Sequence, residues 1–379
     1  MSATAGKAAR GDGPRADVRR VAVLGTGLIG GSIGLALARH DIEVVGFDGS
    51  AERVARAQEL GAVATVATSL EAAVRGAEVV VVAVPVGHIA ALAVAAFDAG
   101  APIVTDVGSV KAPVVAGVTA ARADRAPCFV GGHPMAGSEQ DGVEGADADL
   151  FVGAAWVLTP TATTDADAFA AVRSLVRLVG AEAIEVEPAR HDALVALVSH
   201  VPQLAASTLM DVAGAGGGEH RILMRLAAGG FRDMTRIAAG NPGIWPDILT
   251  SNRDAVLQAL DAYRDALGDV RGLVASGDRE GLLDMLKRTR IARRNLPVGT
   301  PPVQELVELR IPVPDRPGAL AEVLTLAPPL GVNVYDFEIA HSSEGGSGVL
   351  VLVVTAGGAD VFEPALEELG YHVARGALE

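Results

Sequence analysis

The 379-residue chain is short of several things, and each shortage excludes a class of protein. It has a single cysteine, Cys128, which rules out an internal disulfide framework and any cysteine-built metal cluster. A reducing compartment fits that count, so the expected location is the cytoplasm and no metal site is expected. Although half of the residues are hydrophobic, no unbroken apolar run approaches the ~20 residues that a membrane-crossing helix requires, and no membrane partner is expected. The first residues lack the apolar core of a secretory signal, and residues 1–19, rich in Ala, Gly and Arg, read as a disordered leader. Excess positive charge is absent too. The formal net charge is −15 with no long Lys/Arg run to offset it, which excludes nucleic acid as an expected partner. An anionic small molecule must then be met by a few placed arginines.

What the chain does have is periodicity. Between residues 20 and 187 short Val/Ile-rich runs alternate with Ala/Leu-rich helical patterns, the sign of βαβ units around a parallel sheet. Strands are expected at Val21–Leu24, Val44–Phe47, Val79–Val84, Ile103–Thr105, Phe129–Val130, Ala155–Leu158 and Ala183–Val186, making an α/β, doubly wound, Rossmann-type domain. Residues 188–296 keep a helical pattern broken at glycine-rich points and read as an all-α domain. A proline-rich joint at 297–303 leads to residues 304–379, where the expected order is strand, helix, strand, strand, helix, strand. That order is a ferredoxin-like βαββαβ unit.

The first strand runs into Gly25-Thr26-Gly27-Leu28-Ile29-Gly30, and an apolar helix is expected to start near Gly31 and Ser32. This is the setting a dinucleotide fingerprint needs. Gly25 permits the tight turn, Gly27 lets backbone approach a pyrophosphate, and Gly30 lets the helix pack on the strand, with the helix N-terminus facing the phosphates. Asp48 follows roughly 20 residues on, where an acidic side chain bonds the adenosine ribose hydroxyls and repels a 2′-phosphate. The expected cofactor is NAD rather than NADP.

Three further segments carry chemistry: Asp106-Val-Gly-Ser-Val-Lys111, Gly132-His-Pro-Met-Ala-Gly-Ser-Glu139 and Phe231-Arg-Asp-Met-Thr-Arg-Ile-Ala238. Together with Leu197-Val-Ser-His-Val-Pro-Gln203, and in this order, they resemble the prephenate/arogenate dehydrogenase family from about Val21 to Asn295. The resemblance implies an oxidoreductase performing oxidative decarboxylation of a cyclohexadienol. Hydride leaves the ring carbon bearing the hydroxyl, carbon dioxide departs, and the ring aromatises. Such chemistry needs a base at the hydroxyl, and a neutral imidazole suits it. The resemblance puts His133 in that role and Ser109 beside it. It further implies cofactor contacts from Gly25, Gly27, Leu28, Ile29, Gly30, Asp48, Val84, Pro85 and Ser109.

A dianionic substrate calls for guanidinium groups that grip carboxylates in pairs of hydrogen bonds. Arg236 is the first candidate, and Arg232, four residues earlier, shares its face if the segment is helical. Ser199 and His200 are assigned to the pocket wall, with Trp245 as a pocket cap, a subunit contact or a buried structural residue. One common family pattern has a second histidine after the proline where this chain has Gln203, which leaves prephenate and arogenate both open as substrates. A neutral amide offers a donor and an acceptor to either. A 3-hydroxyacid dehydrogenase, the nearest rival enzyme, typically employs a lysine in its helical domain, and the stretch from Ala189 has none before Lys287. A non-catalytic amino-acid sensor is the remaining alternative.

Residues Leu306–Ala374 resemble an ACT domain through Val313-Pro-Asp-Arg-Pro-Gly-Ala-Leu320 and Gly331-Val-Asn-Val-Tyr335. The resemblance implies an amino-acid effector at Asp315, Pro317, Gly318, Ala319 and Leu320, and tyrosine, as end product, is the expected one. Pro317 at the first helical position would equally explain the motif as a helix-start turn. The low charge density of the helical domain predicts pairing with a twin, hence a homodimer.

Overall fold

In the computed structural model the described residues are 18–137, 140, 142–214, 227, 229–294, 306–314, 316–341 and 347–377. The expected leader, but for Val18 and Arg19, and the expected joint at 297–303 lie outside them. The chain divides into two compact units, Met1–Ala266 and Leu267–Glu379.

The first unit is built on eight strands: β1 Arg20–Leu24, β2 Glu43–Phe47, β3 Thr65–Val66, β4 Val79–Val82, β5 Val104–Asp106, β6 Phe129–Pro134, β7 Ala155–Thr159 and β8 Glu182–Glu185. Their order is β3-β2-β1-β4-β5-β6-β7-β8. The run of four valines in β4 is fully buried because helices cover both faces, the usual fate of a near-continuous apolar strand in a parallel sheet. Val21 and Val23 face one core cluster while Ala22 and Leu24 face the other. Those clusters are closed by α1 Leu28–Ala38, α2 Ala51–Glu59, α3 Leu70–Val74, α4 Val86–Asp98, α5 Ala112–Ala121 and α6 Ala166–Leu178.

Two departures from expectation have simple causes. β3 is a two-residue strand, too short to show any alternation in sequence. β7 runs antiparallel to β6, breaking the otherwise parallel sheet. A parallel return needs a long crossover, and the described residues of that connection offer only the 3₁₀ turn Val143–Gly145.

Beyond β8 the chain is helical: α7 Pro188–Val195, a five-residue π-helical turn Ala196–His200, α8 Val201–Gly214, α9 Gly229–Thr235, α10 Trp245–Ser251, α11 Arg253–Ser276 and α12 Arg279–Arg294. The continuous stretch Pro188–Gly214 is long and apolar enough to cross a bilayer by composition alone. It is instead a partly buried core helix, carrying His191, Asp192, His200 and Gln203 among its buried residues.

In the second unit lie β9 Leu306–Pro314, α13 Ala319–Leu324, β10 Val334–His341, β11 Ser347–Thr355, α14 Ala356–Glu368 and β12 Ala374–Ala377, with an antiparallel sheet ordered β10-β11-β9-β12. This is the ferredoxin-like order expected, around a core that includes Leu309, Ile311, Leu350, Leu352 and Phe362. Here α13 starts at Ala319, so Pro317 stands outside the helix. Gly318 is its N-cap, in the left-handed conformation (φ 89°) that glycine adopts without strain.

Candidate active site

The sheet order reverses between β1 and β4, and ligands of open α/β sheets bind outside the strand ends at such a point. A cleft of about 730 Å³ lies there, lined among others by Gly25, Gly27, Asp48, Arg53, Val84 and Pro85. Gly25 sits at φ 98°, and a Cβ on it would come 2.3 Å from the Ala83 carbonyl oxygen. On Gly30 a Cβ would fall 1.9 Å from the Gly25 oxygen. Gly27 differs: its Cβ would meet nothing within 4 Å, only the open space that a pyrophosphate would occupy. The helix starts at Leu28, earlier than expected, because Gly30 must lie in its first turn to fit against Gly25. Gly27 caps that helix with no side-chain bond, leaving first-turn N–H groups for an anion. The residues present therefore fit a dinucleotide. Ile29 packs against the core instead of lining the cleft, and Leu28 beside it is half-buried.

Asp48 is on the cleft wall as expected, but its carboxylate is already engaged. It accepts from Thr26 N at 2.8 Å and Ser50 N at 2.9 Å, and it pairs with Arg53 at 2.9 Å. Arg53 is the donor on a long, exposed side chain, hence the one a ribose hydroxyl could most easily replace. Its place in the cleft had no signal in sequence.

Further along the sheet a second assembly is made of buried side chains. Asp106 ends β5, and Lys111 begins the next turn; both are 0% exposed and form an ion pair. Lys111 Nζ also donates to the Gly132 carbonyl at 2.7 Å, and Asp106 Oδ1 accepts from Gly132 N at 3.1 Å. The pair thus grips both backbone groups of the residue preceding His133. Burial pulls the Lys111 amine below its ordinary range, and Asp106 beside it works in the opposite direction.

His133 lies near the carboxyl end of β6, 9% exposed. Its Nδ1 is 2.9 Å from His191 Nε2, and His191 Nδ1 is 2.8 Å from Asp192 Oδ1. Asp192 also accepts from Lys111 N and Ala112 N, each at 2.8 Å, so it anchors α7 to the start of α5. Asn252 Nδ2 donates to the Asp192 carbonyl at 2.8 Å and faces His200 Nδ1 at 3.3 Å. Burial, reinforced by Lys111, His191 and His200, holds His133 well below the usual imidazole range and so favours its neutral ring. His200 is pushed down to about 4, again chiefly by burial.

The other expected site residues are placed as follows. Ser109 is half-buried in the loop between β5 and α5. Ser199 is half-buried and His200 buried on the π-helical turn, an irregularity that often marks functional positions. Gln203 is buried in the next turn and makes a long 3.5 Å contact to Ser207. Trp245 packs against the core and meets the His200 ring edge-on at 6.2 Å. Arg232 is exposed on α9, which ends at Thr235; Arg236 opens a 3₁₀ turn, so the two do not share a regular α-helical face. In the second unit Ala319 is buried and Leu320 packs on the core, whereas Asp315 lies outside the described residues.

Sequence reading missed His191, Asp192, Asn252 and the roles of Asp106 and Lys111. The last two stood inside a segment already singled out. His191-Asp192 offered only an adjacent His-Asp pair behind Pro188, which is common at helix starts. Among the described residues no cluster of side chains suits a metal ion.

Comparison with known proteins matches residues 33–185 to the prephenate dehydrogenase nucleotide-binding domain and residues 187–288 to the prephenate dehydrogenase dimerization domain. The chain is 32% identical to the prephenate dehydrogenase of Bacillus subtilis over 87% of its own length and 90% of the relative's. Among solved structures it is similar to the prephenate dehydrogenase from A. aeolicus in complex with hydroxyphenyl propionate and NAD+, with TM-score 0.69 and 30% identity, covering 74% of this chain and 99% of that one. It is also similar to the Synechocystis arogenate dehydrogenase, with TM-score 0.65 and 30% identity, covering 73% and 99%. Asp48, Val84, Pro85, Ser109 and His133 fall within the first matched region and His191, Asp192, His200 and Gln203 within the second, and the chain belongs to the prephenate dehydrogenase family.

Proposed function

We propose that this chain carries out NAD-dependent oxidative decarboxylation of prephenate to 4-hydroxyphenylpyruvate, on the route to tyrosine, with His133 as the base at the ring hydroxyl. The observation that carries this reading is the state of His133: buried, neutral, and engaged through Nδ1 so that Nε2 is the nitrogen left for a substrate. NAD, when bound, supplies the acceptor for the hydride. The residues that would hold it are Gly25, Gly27, Asp48, Val84 and Pro85, with the first turn of α1 at the phosphates. Ser109 helps to orient the hydroxyl, and Arg236, aided by Arg232, receives substrate carboxylate through paired hydrogen bonds. Ser199, His200, Gln203 and Trp245 form the pocket wall.

Arogenate is the second reading. Gln203, buried where a cation is one common family pattern, gives no charge preference, and an arogenate dehydrogenase stands among the similar structures. The protein acts as a cytoplasmic homodimer, organised as a dinucleotide-binding domain (20–187), a helical domain (188–296) and an ACT-like domain (304–379). Exposed Leu267, Val274, Leu283, Leu286 and Ile291 on α11 and α12 offer apolar surface for pairing. Tyrosine, bound beside Gly318, lowers activity by favouring one arrangement of the dimer.

One assay tests these points together: NADH formation with NAD and either prephenate or arogenate, repeated with tyrosine present. Turnover favouring prephenate is expected, with inhibition by tyrosine. A higher kcat/KM for arogenate exchanges the two substrates, insensitivity to tyrosine removes the effector, and no turnover with either overturns the reaction.

A further inference from the structure

The reaction proposed above has an unusual proton ledger. The hydroxyl loses a proton while the carbinol carbon loses hydride, yet the aromatic product again carries a hydroxyl on the same oxygen. The base must hold one proton briefly and return it, with no net release. Structure around His133 matches that requirement.

Asp192 accepts two backbone N–H bonds, from Lys111 and Ala112, on the same carboxylate that faces His191 Nδ1. With that carboxylate as acceptor, His191 donates through Nδ1, which leaves its Nε2 to accept from His133. His133 then donates through Nδ1 and keeps its own lone pair on Nε2, facing away from the pair. With one proton on each ring, a single choice of tautomers satisfies every bond, and it is the choice that leaves His133 Nε2 able to act as a base. Beyond Asp192 the path ends. Its carboxylate bonds only to His191 and two main-chain amides among the described contacts, and all three side chains are buried.

We infer that His133, His191 and Asp192 form a closed proton store, in which His191 is a positioning residue that fixes the His133 tautomer and takes up the second proton transfer. This rests on the reading of His133 as the base. The hydroxyl O–H bond breaks as an Nε2–H bond forms on His133. The Nδ1–H bond of His133 breaks as an Nε2–H bond forms on His191, and the resulting imidazolium lies against the Asp192 carboxylate. With NAD bound to supply the acceptor, hydride would leave the carbinol carbon, and the ring carboxylate would leave as carbon dioxide with its bonding pair returned to the ring. Both proton transfers then reverse, and the oxygen regains its proton as a phenol.

Histidine ¹⁵N spectra of the full-length protein test the resting state directly, without turnover: His133 and His191 should both be neutral, protonated at Nδ1 and bare at Nε2. A His133 protonated at Nε2 overturns the store, whatever the enzyme turns over. In His191→Gln the amide oxygen still accepts from His133 but cannot pass a proton on. Its kcat should fall about 10²-fold while KM for substrate and for NAD stays within about threefold, and His191→Phe should fall further because the tautomer is also released. The dependence of kcat on the deuterium fraction of the solvent should be bowed in the native enzyme and linear in His191→Gln. Native kcat and an unchanged bow in His191→Gln would discard the store and leave His133 as a simple base. Failure of the base reading itself would show separately, as near-native NADH formation by His133→Asn.

Discussion

The two ends of the active-site crevice are built from different materials. Around Gly25–Gly30 recognition belongs to backbone: positive φ, missing Cβ atoms and uncapped N–H groups do the work, and side chains mostly stand back. Around His133 the backbone is ordinary strand and helix, and the chemistry belongs to buried side chains held by one another. A backbone site can lose a group and leave the fold intact, because nothing packs where the ligand goes. A site of mutually dependent buried charges cannot.

The sharpest break in that comparison is Lys111→Met. It strands the Asp106 carboxylate in a fully buried position, which should cost about 3–5 kcal/mol of folding stability. Urea unfolding would measure it, and a loss below about 1 kcal/mol would mean that the ion pair is not what holds Gly132. Next comes His133→Asn, which keeps a small polar side chain but removes the base. Turnover should drop about 10³-fold while NAD still binds by fluorescence titration; near-native turnover would move the base elsewhere. The smallest effect on the fold belongs to Gly27→Ala. Its backbone (φ −76°) suits any residue and its Cβ meets no protein atom, so stability should shift by less than about 1 kcal/mol, while NAD affinity falls at least about tenfold. If NAD binds Gly27→Ala as well as native protein, the pyrophosphate does not lie where the crevice suggests.

The same contrast governs what could be read from sequence. Gly25, Gly27, Gly30 and Asp48 are one local motif with a mechanical reason for each spacing, and the strands around them alternate with helices in the expected way; the cleft is legible in the sequence alone. His133 was legible through resemblance. Its partners were not, since Asp106 with Lys111, His191 and Asn252 lie in three separate segments and each alone is an ordinary polar residue. Burial is what makes them a unit, and burial of a lone polar residue has no local signature. Arg236 shows the opposite limit: helical spacing to Arg232 suggested a common face, but the helix tightens at Thr235 and the spacing loses its meaning. The antiparallel turn of β7 goes with how little helix the described part of the preceding connection holds, which composition does not reveal.

Asp192 bonds to the first residues of α5 and to the histidine beside it on α7. Competence for chemistry is thereby made conditional on docking. A newly made chain whose sheet has closed but whose α7 has not yet settled would already bind dinucleotide at the glycine loop, yet it would lack an oriented base and leave substrate untouched. With His133 as the proposed base, the carboxylate would act as an assembly check, and a half-folded copy would be inert rather than error-prone.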